Sequence, residues 1–123
     1  MKNANPHENL NNDDVSFLIG KAVEQLALGQ YEFQINFNDE VSISIHQTLI
    51  VTTETYSMEI RADRTDQTKE LYFLLGHKVD GAAIDSTKTL KLIFDDLATI
   101  SISATKNAYD SYLIWNKGEY IAA

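Results

Sequence analysis

One phrase occurs twice in the chain. Residues 33–45 read FQINFNDEVSISI and residues 90–102 read LKLIFDDLATISI. Aligned, Phe33, Ile35 and Phe37 stand over Leu90, Leu92 and Phe94, Asp39 over Asp96, and Ile43 and Ile45 over Ile100 and Ile102. The likeness starts earlier. Leu18-Ile19-Gly20-Lys21-Ala22-Val23-Glu24 matches Leu74-Leu75-Gly76-His77-Lys78-Val79-Asp80, and Leu28 then falls on Ile84. Two copies indicate a duplicated module, because a solenoid needs at least three.

Each copy opens with a short helix stopped by glycine. Asn12-Asp13-Asp14 can cap a turn through Phe17-Leu18-Ile19, with Gly20 where a left-handed residue is wanted. Thr65-Asp66 precede a helix through Glu70–Leu75, with Leu71, Leu74 and Leu75 on one stripe and Gly76 at its end. Strands follow. Tyr31, Phe33, Ile35 and Phe37 alternate with Glu32, Gln34, Asn36 and Asn38, and Val41, Ile43 and Ile45 with Ser42, Ser44 and His46. That period of two describes a sheet with one buried and one wet face. Asn38-Asp39-Glu40 and Asp95-Asp96-Leu97 are hairpin turns. Further strands are read at Thr48–Thr53, Met58–Ala62, Tyr112–Trp115 and Glu119–Ile121, the last two joined by Asn116-Lys117-Gly118.

The expected fold is α+β and β-rich. About eight mostly antiparallel strands come from two related β-meanders, with one or two short helices. Residues 1–12, rich in Asn and without an apolar core, read as a flexible tail and not as a secretory signal. Residues 13–123 form a single domain, with repeats at about 13–46 and 65–104.

Composition narrows function. With no Cys, disulfide scaffolds, thiol chemistry and Cys-based zinc sites are excluded. No apolar run approaches a membrane span, and a cytoplasmic location is expected. The formal net charge is −8, which repels nucleic acid and anionic membranes and steers in basic partners.

The opening L-[LI]-G-x-x-V, the hairpin L-x-L-x-F-x-D and the following I-x-I resemble a family of small bacterial β-rich proteins. In that family a helix-Gly-strand opening leads to an F-D-D-G turn and a Tyr-acid-x-Trp segment. Here Phe94-Asp95-Asp96 supplies the turn and Tyr109-Asp110-Ser111-Tyr112 the aromatic segment. Leu97 replaces the turn glycine and Tyr112 the tryptophan. Some small acidic bacterial proteins of this kind are immunity proteins that block a toxin domain. The resemblance therefore implies a protein-binding inhibitor.

No reaction is written in the sequence. His7, His46 and His77 lack metal-site spacing, and the adjacent acids Asp13-Asp14, Asp39-Glu40 and Asp95-Asp96 read as cap and turn residues. No catalytic residue, metal or cofactor is expected. The first copy's wet face, from Glu32 to Ser44, contains no Lys or Arg. The candidate partner contacts are Glu32, Asp39, Glu40, Glu59, Asp95 and Asp96, with Tyr109 and Tyr112, while Trp115 reads first as core. The expected function is an immunity-type antitoxin of a bacterial competition system. Its partner would be a basic toxin domain, most plausibly a nuclease. The alternative is a small-molecule binding module or enzyme with a pocket between the meanders. Oligomeric state is left open.

Overall fold

The computed structural model describes residues 11–30, 32–64, 66–95, 97–103 and 112–122. Among these residues it has ten strands in two antiparallel five-stranded sheets. In chain order they are β1 (Val23–Leu28), β2 (Phe33–Phe37), β3 (Val41–Ile45), β4 (Thr48–Thr52), β5 (Ser57–Arg61), β6 (Gly81–Ile84), β7 (Leu90–Phe94), β8 (Ala98–Ile102), β9 (Tyr112–Asn116) and β10 (Glu119–Ala122). The first sheet runs β1-β2-β3-β9-β10 and the second β5-β4-β8-β7-β6. The fold class is the one expected, with two strands more than the rough count.

The order of strands shows an exchange. Each meander, β1-β2-β3 and β6-β7-β8, is extended by a hairpin from the other half of the chain. Only His46 and Gln47 separate β3 from β4, so the chain passes between sheets within two residues. The exchange aligns equivalent apolar rows. Leu26, Ile35, Ile43, Ile114 and Ile121 oppose one another across the first sheet. Ala82, Leu92, Ile100, Val51 and Met58 do so across the second. The inner faces feed one contiguous core, in which Ile35, Ile43, Leu92, Ile100 and Ile114 are fully buried. Each such side chain contributes roughly 1.5–3 kcal/mol by leaving water.

The two aligned openings meet along their backbones. The Gly20 N–H donates to the Val79 carbonyl at 2.7 Å, and the Gly76 N–H to the Val23 carbonyl at 2.8 Å. The Val79 N–H reaches the Lys21 carbonyl at 2.9 Å, and the Val23 N–H the His77 carbonyl at 3.0 Å. Each bond has its counterpart in the other copy. Gly20 and Gly76 sit at φ 91° and 85°, the left-handed region glycine enters without cost.

The helical segments depart from expectation. The α-helix α1 spans Asn12–Val15 and continues as a 3-10 turn, Ser16–Leu18. Its N-cap is Asn11, one residue before the expected caps. The Asn11 side chain accepts the Asp13 N–H at 2.9 Å, and Asp14 accepts the Asn11 N–H at 3.0 Å. Asn12, assigned to the tail by its composition, accepts the Ile84 N–H at 2.8 Å and ties α1 to β6. The second helix is a 3-10 segment, Thr68–Leu74. Three residues per turn put Leu71 and Leu74 on one buried face, and Leu75 falls off it, 44% exposed.

Candidate functional site

The sequence's candidate acids divide between the two ends of the molecule. Both β1 and β6 start beside the hairpin turn of their own meander, and the segments leading into them are paired. The 38–40 turn, Asp95 and Leu97 therefore lie at one end. The first is pinned through Asn38, whose side-chain oxygen accepts the Ala22 N–H at 2.7 Å and whose N–H donates to the Ala22 carbonyl at 3.1 Å. Asp39 pairs with Lys21 at 3.1 Å. The Glu40 carbonyl accepts the Lys117 N–H at 3.0 Å, which brings the β9–β10 turn alongside. Asp39, Glu40 and Asp95 are all exposed and all left-handed, at φ 63°, 60° and 54°. Aspartate tolerates that conformation through its short polar side chain, but glutamate has no such local compensation.

At the other end, Glu32 stands 3.5 Å from His46. His46, Gln47, Thr48, Glu59, Arg61 and Asp63 line an open, mainly polar depression of about 440 Å³. Arg61 meets Asp63 through two bonds of 3.1 Å, and Arg64 meets Asp66 through two of 3.2 Å. Hydrogen bonding from these guanidiniums holds the Asp63 and Asp66 carboxyls below the usual carboxylate range. The loop is fastened by Gln67, whose side-chain oxygen accepts the Arg61 N–H at 2.8 Å.

A third surface is the outer face of the first sheet. The cross-strand register sets Gln25, Asn36, Ser42, Trp115 and Tyr120 in one row, with Gln34, Ser44 and Leu113 in the next. Trp115 and Tyr120 pair with ring centroids 5.3 Å apart and planes tilted by 42°. Trp115, read first as core, is half-buried on this outer side. Alternation could have found it, because Ile114 is fully buried and its neighbours along a strand must face the other way.

Of the sequence-predicted contacts, Glu59 lines the depression, Glu32 stands beside its His46, and Asp39, Glu40 and Asp95 lie at the turn end. Asp96 and Tyr109 lie outside the described residues. Tyr112 needs correction as a surface contact. It is fully buried, and its hydroxyl donates to the Lys88 carbonyl at 3.0 Å. Burial, with a smaller contribution from Asp85, pushes its phenol far above the ordinary tyrosine range. It faces inward because Ile45, its partner on β3, is an inner-face residue. Among the described residues no three His, Asp or Glu side chains stand close enough to hold a metal ion. Nor, among them, is any helix long and apolar enough to cross a membrane.

The fold and surface define a small acidic two-sheet β protein with carboxylates presented at both ends. The chain belongs to a family of unknown function, DUF6188, whose model matches residues 15–123. No curated protein and no solved structure matches it.

Proposed function

We propose that the protein is a non-catalytic binding protein whose turn end docks on a basic protein domain. The observation that carries this reading is the placement of Asp39, Glu40 and Asp95 on exposed, left-handed hairpin backbone. A glutamate at φ 60° costs about 1 kcal/mol relative to glycine. Retaining it there is understandable if its carboxylate has work outside the fold. The 38–40 turn, pinned to Ala22 through Asn38, presents Asp39 and Glu40 with little backbone entropy left to lose on binding. Charge steers the encounter, so association is fast and salt-sensitive.

The narrower form of the proposal is an immunity-type antitoxin. It would act in the cytoplasm and cover the cationic cleft of a toxin domain, a nuclease. Co-expression tests it. The protein encoded beside this chain should be basic, should kill cells when expressed alone, and should be harmless together with it. A harmless neighbour that forms no complex would remove the antitoxin reading. The depression lined by His46, Glu59, Arg61 and Asp63 favours a second reading, a module for a small polar ligand. A thermal-shift screen of metabolites, with Glu59→Gln as control, separates the two.

A further inference from the structure

The outer face of the first sheet is chemically unlike the rest of the molecule. The protein carries a net charge of −8, yet neither central row of this face holds a charged residue. One row joins two amides, a hydroxyl and two aromatic rings: Gln25, Asn36, Ser42, Trp115 and Tyr120. Neighbouring strands are ~4.8 Å apart, so four steps carry the row across about 19 Å. The Asn36 side-chain NH2 donates to the Gln25 side-chain oxygen at 2.9 Å. That bond leaves the Gln25 NH2 and the Asn36 oxygen available as a donor and an acceptor. Tyr120 is 40% exposed, and Asn36, Ser42 and Trp115 are partly so.

We propose that this face binds a short neutral oligosaccharide. The C–H faces of sugar rings suit the aromatic pair, whose rings carry partial negative charge on their faces. Sugar hydroxyls both donate and accept, as do the two amides and Ser42. The charged pair on this side of the sheet, Glu32 and His46, stands at its edge, so the two central rows offer hydrogen-bonding groups and rings but no charge. The aromatic and amide row is a strip ~19 Å long and about one residue wide, the footprint of a short linear ligand and not of the ~800 Å² per partner that a standard protein interface covers. A linear ligand of a few sugar rings fits the strip. This inference is independent of the acidic turn end.

Trp115 is the chain's single tryptophan, so its emission reports on this face alone. Hexasaccharides of β-1,4-glucose, β-1,4-xylose, β-1,3-glucose and α-1,4-glucose are titrated against the intact protein, with emission and calorimetry as readouts. At least one should give a saturable emission change, unaltered between low and high salt. Tyr120→Ala and Asn36→Ala should each weaken it about tenfold, equivalent to about 1.4 kcal/mol. Melting temperatures matched to wild type establish that both variants fold, and Tyr120→Phe, which keeps the ring, should bind more tightly than Tyr120→Ala. The proposal fails if none of the four sugars changes the emission, or if Tyr120→Ala binds as tightly as wild type. It also fails if emission instead follows protein concentration while the mass in solution doubles, because the face would then join two copies.

Discussion

Replacing Tyr112 by Phe removes one oxygen from a site with no solvent exposure and tests whether this residue belongs to the core. At neutral pH the change deletes the 3.0 Å bond to the Lys88 carbonyl. A buried hydrogen bond of this kind contributes about 0.5–1.5 kcal/mol net. Urea unfolding should therefore show a midpoint lowered by that amount with an unchanged m-value. Alkaline pH supplies a second, sharper test. The folded phenol keeps its proton far above the ordinary value, while the unfolded one loses it near pH 10. Above that pH the unfolded state binds fewer protons, so the Tyr112 contribution falls as pH rises. One such group costs about 1.4 kcal/mol by pH 11. Wild type should lose that much more stability between pH 9 and 11 than Tyr112→Phe, since all other titrations are common to both. Parallel pH curves, or a variant as stable as wild type at neutral pH, would refute the buried hydrogen-bonded phenol. Partner binding should be untouched by the substitution.

Other perturbations follow from the same geometry. Gly20→Ala and Gly76→Ala should each destabilise by about 1 kcal/mol or more in thermal melts, because φ near 90° strains any Cβ although the surrounding space is open. Asn11→Ala should cost about 1 kcal/mol by removing the α1 cap. Glu40→Gly should leave stability unchanged or raise it by up to about 1 kcal/mol, measured by urea unfolding, while weakening partner binding. Asp85 accepts bonds from the Thr87 hydroxyl and from the N–H groups of Thr87 and Thr89, which hold its carboxyl below the ordinary range. Its stabilising effect is present above the unfolded aspartate pKa and fades as pH falls through the lower folded value. Asp85→Asn should flatten that part of an acid-unfolding curve.

Local features of the fold could be read from residues. Alternation gave the inner faces of β2, β3, β7 and β8, and Lys117-Gly118 gave the last hairpin, whose two residues sit at φ 53° and 93°. The strand exchange could not be read. β4 and β9 both present alternating apolar faces, Leu49 and Val51 in one and Tyr112 and Ile114 in the other, so nothing local distinguishes pairing β3 with β9 from pairing β3 with β4. The 3-10 form of Thr68–Leu74 was equally hidden, because Leu71 and Leu74 suit three or four residues per turn alike. For the candidate surfaces, the acids were visible as residues but their split between two ends needed the topology. Tyr112 and Trp115 exchanged expected roles. Which side of β9 faces the core is set by its register with β3, and that register is a long-range fact.

The central claim is that Asp39, Glu40 and Asp95 form a docking end for a basic partner. The most direct measurement compares immobilised wild type with a variant carrying Asp39→Lys, Glu40→Lys and Asp95→Lys. Each replacement adds two charges, moving the net charge from −8 to −2. Lysate from the native host is passed over both, and bound protein is eluted with a salt gradient. Matched melting temperatures establish that the variant folds. The account predicts that wild type retains a basic protein released by salt and that the variant does not. Equal retention by both, or retention by neither, would contradict it.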